Sequence, residues 1–485
     1  MGSGGHSGGL YRPLSEADVE LLHDRALEVL ETIGITYEDG LDDLLALVGD
    51  AGCRVDRDRR RIFFPRDLVT EMAARAPAEF TMYSRDGRSD LHLGKDRVYC
   101  GTGGTAIRIL DLETGQVRQS VLQDLNNVAR ITQEMAHIHF FQHCCVPHDV
   151  PVEHYDVNGI FAAMMGTTKH CMLGCNTDAG LRDAFKLVAR IAGGEDRLRK
   201  RPLFSISACM IISPLKFCTQ SSKNVRLAAQ LGVPTTVTSA PMSGSTSPMT
   251  MAGTLIQTHA EVMAGIGVHQ MTVPGAPVLY GGLPAMANMK TLGYQGGSVE
   301  VGMMMAAIHQ LARHIQVPNY SSSGLSDAKI PDVQASWEKA FTTALNVMGG
   351  CNYVHHAAGM LESMLCIAYE QYIIDDEIIG QACKMLEGIP IDEDHMAMDA
   401  IAEVGPGGHY LMSDHTLDHM RSEYFEGSGV SDQGLRGQWE ESGSKSARQR
   451  AREMARTILE QPFEPKIDKA VEEEIRRDFP IYLAR

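Results

Sequence analysis

Ala240-Pro-Met-Ser-Gly-Ser-Thr-Ser-Pro-Met-Thr-Met-Ala-Gly253 is a polar Gly/Ser/Pro loop that runs straight into the helical pattern Thr254-Leu-Ile-Gln-Thr-His-Ala-Glu-Val-Met-Ala264. The same alternation recurs downstream in Pro274-Gly-Ala-Pro-Val-Leu-Tyr-Gly281, Gly296-Gly-Ser-Val-Glu300, Ser323-Gly-Leu-Ser-Asp-Ala-Lys329 and Asn352-Tyr-Val-His-His-Ala-Ala-Gly359. Short apolar runs end in Gly, Ser, Asn or His, and a helical pattern begins just after each. That is the pattern of repeated βα units, with polar residues collected at the C-terminal ends of parallel strands.

Upstream, the alternation begins near Leu122. The runs Phe140-Phe-Gln-His-Cys-Cys, Cys171-Met-Leu-Gly-Cys-Asn176, Phe204-Ser-Ile-Ser-Ala-Cys and Pro234-Thr-Thr-Val-Thr-Ser read as strands, and Pro277-Val-Leu-Tyr, Val317-Pro-Asn-Tyr-Ser and Asn352-Tyr-Val-His continue them. An eighth strand is expected at His409-Tyr-Leu-Met. The chain therefore predicts an α/β fold, a TIM (β/α)8 barrel over residues 121–440. A flexible polar arm is expected over 1–12 and a helix with antiparallel strands over 13–120. Two charged helices over 441–485 are expected to wrap the outside.

Composition narrows the function classes. The 485 residues carry a net charge of −17, and no Lys/Arg cluster interleaves with aromatics, which argues against nucleic acid. Eleven cysteines, an odd count, are scattered with no disulfide framework, which suits a reducing cytoplasm. No apolar run is long enough to span a bilayer, and the first residues do not read as a signal peptide. Aromatics make up only 6% of the chain, so any cage for a cation must use few rings.

Several local motifs bear on chemistry. Gly101-Thr-Gly-Gly-Thr-Ala106 follows a strand but continues as another strand, so no helix N-terminus is offered to a phosphate. A backbone passing close to something at the barrel mouth is the better reading. His143-Cys144-Cys145 and His170-Cys171 lack the paired spacing of structural zinc, and no bound metal is expected. Asn176 reads either as a turn former or as an amide facing the mouth. His355 and His356 end a strand, so alternation sends one into the lumen and the other outward. Glu261 and Glu300 are carboxylates inside otherwise apolar helices, either solvated or placed as counter-charge to a cation. Tyr280, Tyr320 and Tyr353 lie at strand ends and suit a cation cage better than the helical Trp337.

Taken together, Pro241-x-Ser-Gly-Ser-Thr-Ser-Pro-Met-Thr-x-Ala-Gly, Ala260-Glu261, Gln270, Pro274-Gly-Ala-Pro, Ser323-Gly-x-Ser-Asp-Ala-Lys-x-Pro-Asp-x-Gln334 and His355-His356-Ala-Ala-Gly resemble the trimethylamine methyltransferase family over most of residues 15 to 480. The resemblance implies a barrel that moves a methyl group from an amine to the Co(I) of a separate corrinoid protein. The archaeal founders use pyrrolysine, whereas Asn319 to Gly324 here reads Asn-Tyr-Ser-Ser-Ser-Gly. The chain therefore resembles the non-pyrrolysine branch, whose members demethylate glycine betaine and related quaternary amines. Substrate contacts are expected from His355, His356, Asn176, Tyr280, Tyr320, Tyr353, Gln270, Glu261 and Glu300, with no covalent catalyst. The chain lacks the corrinoid-binding signature Asp-x-His-x2-Gly, so cob(I)alamin is expected on a partner protein and no cofactor on this chain. A homo-oligomer is expected. A zinc-dependent barrel hydrolase or methyltransferase, and a non-catalytic quaternary-amine-binding relative, stand as alternatives.

Overall fold

The computed structural model describes residues 5–484. Among these, eight parallel strands follow one another round a ring: β1 (Arg97–Cys100), β2 (Phe141–Gln142), β3 (Cys171–Gly174), β4 (Phe204–Ser207), β5 (Thr235–Ser239), β6 (Val278–Gly282), β7 (Tyr320–Ser322) and β8 (Tyr353–His355). A continuous parallel ladder joins β2 to β6. β6 meets β7 through the parallel bridge Tyr280–Asn319, and Tyr320 of β7 pairs with Tyr353 of β8. Tyr353 pairs in turn with Tyr99 of β1, and the bridge Gly101–Phe140 joins β1 to β2. The ring is closed, with no free edge.

A helix follows each strand: α1 (Leu122–Glu134), α2 (Tyr155–Gly166), α3 (Asp178–Ala192), α4 (Thr219–Leu231), α5 (Met251–Thr272), α6 (Val299–His314), α7 (Val333–Gly349) and α8 (Tyr369–Lys384). Every strand in the ring is almost wholly buried, which is why the strands read as short apolar runs without clean alternation. No helix among the described residues is long and apolar enough to cross a membrane.

The eighth strand is not His409-Tyr-Leu-Met, which forms an exposed turn. The missing strand is β1, upstream of the expected barrel boundary at 120. An antiparallel hairpin (Arg108–Leu110 with Val117–Gln119) separates β1 from α1 and interrupts the βα rhythm there. The preceding segment carries the helix Glu16–Glu28, whose Ser15–Asp18 capping box satisfies its first turn. A small antiparallel sheet (Ile35–Tyr37, Arg54–Asp56, Arg61–Phe63) is extended by Lys216–Phe217 from the loop after β4.

Of the arm expected to be flexible, residues 1–4 lie outside the described residues. From Gly5 onward it is docked. His6–Ser7 pairs antiparallel with β1, and the Gly8 N–H donates to Asp96 O at 2.7 Å. A Cβ on Gly8 would stand 2.4 Å from Val347 O, so glycine here serves close packing. The C-terminal helix Ala447–Glu460 lies across α1 and α8, and Lys469–Asp478 lies against α3.

The loops after β7 and β8 are fixed by one buried ion pair. Lys339 of α7 lies 3.0 Å from Asp375 Oδ2 of α8, and neither side chain meets solvent. Lys339 also donates to Gly324 O behind β7, while Asp375 accepts from the Gly359 N–H behind β8 at 2.7 Å and from Gln371 Nε2 at 2.8 Å. Burial pushes the lysine down and the carboxyl up, and their mutual attraction and hydrogen bonds oppose it. Lys339→Met should leave an unpaired buried carboxylate and destabilise the fold by about 3–5 kcal/mol. Adding Asp375→Leu should recover part of the loss. Denaturant unfolding reads both, and a single variant as stable as the parent would contradict the clamp.

Candidate active site at the barrel mouth

Polar side chains from four strands converge where the strands end. Tyr320 of β7 accepts a hydrogen bond at its hydroxyl from Gln142 Nε2 of β2 at 2.6 Å, with Ser207 Oγ of β4 at 3.3 Å. Its ring stacks on His355 of β8 with centroids 4.1 Å apart. Tyr353, in register with Tyr320, stacks on Phe140 at 3.6 Å. Gln142 Oε1 and the Tyr353 hydroxyl are buried without a hydrogen-bond partner among the described residues. Buried polar atoms are normally satisfied, so two orphans in one lumen mark where a ligand or water belongs.

The paired histidines depart from simple alternation. His356 adopts a left-handed backbone with φ of 61°, so β8 stops at His355 and both rings stay buried, 3.7 Å apart. Left-handed backbone is uncommon outside glycine and is held only where surroundings determine it. Gly103 and Gly104 of the β1 loop press on this pair. A Cβ at Gly103 would stand 2.8 Å from the His356 nitrogen, and one at Gly104 would stand 2.6 Å from Met360. The close approach expected of the glycine loop is therefore onto the histidines themselves.

His355 Nδ1–H donates to Ser321 O at 2.6 Å, which leaves Nε2 as a bare acceptor. Burial lowers its pKa to about 3, so the ring is neutral near pH 7. His356 Nδ1 lies 2.8 Å from Ser322 Oγ. Burial first, then His355 and Lys339, hold it well below the usual histidine range. The mouth thus presents two uncharged imidazoles beside an aromatic ring.

On the β3–β4 side the mouth is open. Gly174, Cys175 and Ser207 are partly exposed. Cys209 is reached by solvent as well. On the opposite side, Glu338 accepts from Ser326 Oγ at 2.7 Å and the Asp327 N–H at 2.8 Å. Ser363 Oγ joins Asp327 at 2.5 Å and Tyr294 O at 3.0 Å, so the loops after β6, β7 and β8 are tied together.

Of the side chains expected at the site, Tyr320, Tyr353, His355 and His356 come together. Asn176 does not join them: its N–H and Nδ2 donate to the Asp156 carboxylate at 3.0 and 2.9 Å, the turn-forming alternative. Tyr280 faces outward from β6, its hydroxyl 2.7 Å from His259 of α5. Gln270 closes the α5–β6 turn through Gly275 N and Ala276 O. Glu261 of α5 accepts from Ser239, from Ser213 at 2.7 Å, from the Leu215 N–H at 2.7 Å and from Gln257 at 2.9 Å. It braces the β4 and β5 ends, and desolvation raises its pKa despite those donors. Glu300 sits half-buried in the first turn of α6.

The His/Cys runs are otherwise engaged. His143 Nε2 lies 2.7 Å from Cys145 O, and His170 bridges Tyr83 O and Ser205 Oγ. Burial pushes the Cys171 thiol up to about 12, away from the thiolate a metal needs. Gln142 and Ser207 were missed by sequence reasoning. Their signal was present: each is a polar residue inside a strand too apolar to have a solvent face.

A family model described as trimethylamine methyltransferase (MTTB) matches residues 6–481. The chain is 33% identical over 446 residues to "Trimethylamine methyltransferase MttB" of Desulfitobacterium hafniense, covering 92% of this chain and 89% of that one. It is 31% identical over 467 residues to "Glycine betaine methyltransferase" of the same species, covering 96% of each. The crystal structure of the Methanosarcina barkeri monomethylamine methyltransferase MtmB aligns with a TM-score of 0.48 at 12% identity, over 92% of this chain and 93% of that one.

The buried histidines set an acid limit. Burial lowers His139, His170 and His269 to about 4 and His355 to about 3, against 6.5 when unfolded. Below 6.5 the unfolded chain takes up protons that the fold refuses, so stability falls as pH drops towards 4. Each such histidine contributes up to about 1.4 kcal/mol per pH unit. The raised carboxyls of Asp156, Glu261 and Asp375 act in the opposite sense. The denaturant midpoint should fall clearly from pH 7 to pH 5; a flat profile would mean these rings are hydrated.

Proposed function

The chain belongs to the trimethylamine methyltransferase family, and we propose that it moves a methyl group from a quaternary amine, glycine betaine or a close betaine, to the Co(I) of a corrinoid on a separate protein. It is a methyltransferase acting on methylated amines. The observation that carries the finer reading is the uncharged wall of Tyr320, His355 and His356 at an open barrel mouth.

A quaternary nitrogen already holds its positive charge, so it departs as a neutral tertiary amine without covalent activation. The chain's task is then to grip and aim. A protonated histidine would repel the substrate, whereas the neutral His355, its ring packed between Tyr320 and His356, offers the Nε2 lone pair to polarised N-methyl hydrogens. Gln142 Oε1 adds an unpaired acceptor. As the methyl leaves, positive charge on nitrogen disperses, so a carboxylate pressed on the cation would oppose the reaction. Neutral acceptors avoid this. Ser207 Oγ and the second N–H of Gln142 Nε2, beyond their bonds to the Tyr320 hydroxyl, would be the donors for the substrate carboxylate. A reduced corrinoid on a docked carrier would supply the nucleophile, and the partly exposed β3–β4 side would accommodate its bulk.

Methylation of cob(I)alamin, followed optically, tests the reading. Glycine betaine should support turnover and trimethylamine should not; the reverse result would remove the quaternary-amine assignment. His355→Ala should lower kcat/KM by about 100-fold or more with the unfolding midpoint little changed. Tyr320→Phe keeps the ring and should cost about tenfold, the scale of one lost hydrogen bond. Asn176→Ala should leave kcat/KM within about twofold, since its amide serves Asp156.

A further inference from the structure

Beyond α8 the chain leaves the barrel through residues 388–435, built from the short helices Glu393–Met396, Met398–Val404 and Asp414–His419. This excursion has almost no core of its own. Ile389 is 86% exposed, Leu411 78%, Met412 80% and Leu435 75%. A segment burying so little apolar surface needs another source of order.

Its histidines supply the pattern of one. His395, His419 and Glu423 each present a ligand atom, and the three atoms lie within 4.8 Å of one another. His419 is the last residue of its helix, and the turn that follows brings Glu423 back to it, the Glu423 N–H donating to His419 O at 3.1 Å. Asp392 Oδ1 holds His395 Nδ1 at 2.7 Å, which leaves Nε2 free, 3.6 Å from Glu423 Oε1. Asp394 Oδ2 faces His419 Nε2 at 3.3 Å, and the His415 ring lies 4.3 Å from His419.

We propose that His395, His419 and Glu423 bind one divalent transition-metal ion of the zinc class, which pins this excursion together. Two imidazoles and a carboxylate are an N/O donor set that zinc accepts, with a further position left for water. The Asp392 carboxylate on the far nitrogen of His395 is the outer-shell partner that fixes a ligating imidazole and raises its basicity. Because the ligands come from two short helices and the turn after the second, ion binding here is folding energy for the segment. The site is far in sequence from the barrel-mouth residues and takes no part in the methyl transfer proposed for them.

The test uses the full-length, untagged protein, stripped with chelator and titrated with zinc alone. One equivalent per chain should be retained by metal analysis and by calorimetry. The double variant His395→Ala, His419→Ala should bind at least tenfold more weakly while its circular dichroism and methyl-transfer activity stay at parental values. Zinc should also slow proteolytic cleavage within residues 388–435 several-fold in the parent and not in the variant. Equal zinc binding by the variant, or cleavage rates indifferent to zinc in the parent, would overturn the site.

Discussion

A lysine and an aspartate with no access to water hold the business end of this barrel in shape. Lys339 and Asp375 sit on neighbouring helices, yet each reaches back to a backbone group behind a strand, Gly324 O and Gly359 N–H. Two loops that would otherwise move independently become one unit. The desolvation of both charges is tolerable only because every polar atom has a partner, which makes the arrangement unforgiving of small displacements. Such stiffness suits a site whose work is aiming a bond and not donating a proton or forming a covalent adduct.

The chemistry of the mouth follows from keeping charge out of it. Two adjacent histidines would ordinarily titrate near neutrality, but burial keeps one ring neutral although the Ser321 carbonyl, which fixes its tautomer, favours the proton, and burial, with His355 and Lys339, discourages protonation of the other. The glycine loop behind β1 presses on the pair and leaves no room for a side chain. Glu261, a candidate counter-charge from the sequence, is used for bracing and ties the ends of β4 and β5, while Asp156 shapes the turn after β3.

Much of this was legible in the chain itself. Seven strands and all eight barrel helices follow from apolar runs ending in Gly, Ser, Asn or His, because parallel strands buried on both faces leave that simple mark. β1 reads as a strand but falls within the antiparallel segment of 13–120, because the hairpin inserted after it breaks the βα rhythm, and the exposed His409-Tyr-Leu-Met run mimics a strand through composition alone. His355, His356 and Tyr320 were recognisable as strand-end residues. Asn176, Tyr280 and Gln270 carried the same local signal but spend their polar groups on a turn, an outer helix and a helix–strand corner. Their orientation is a tertiary fact that a one-dimensional pattern does not encode. The left-handed turn at His356 is of the same kind, since alternation holds only while the strand lasts.

Closure of the ring has a consequence for how the polypeptide reaches its native state. β1 is made early, but its neighbour β8 and the Val347–Gly350 turn on which Gly8 rests emerge only after most of the chain has been synthesised. Until then both β1 and the docked arm lack half of their partners. Contacts spanning so much sequence are slow to form and leave edges exposed meanwhile. The N-terminal strand therefore completes its pairing only once β8 exists, when the histidine loop comes to lie beneath the glycines that enclose it.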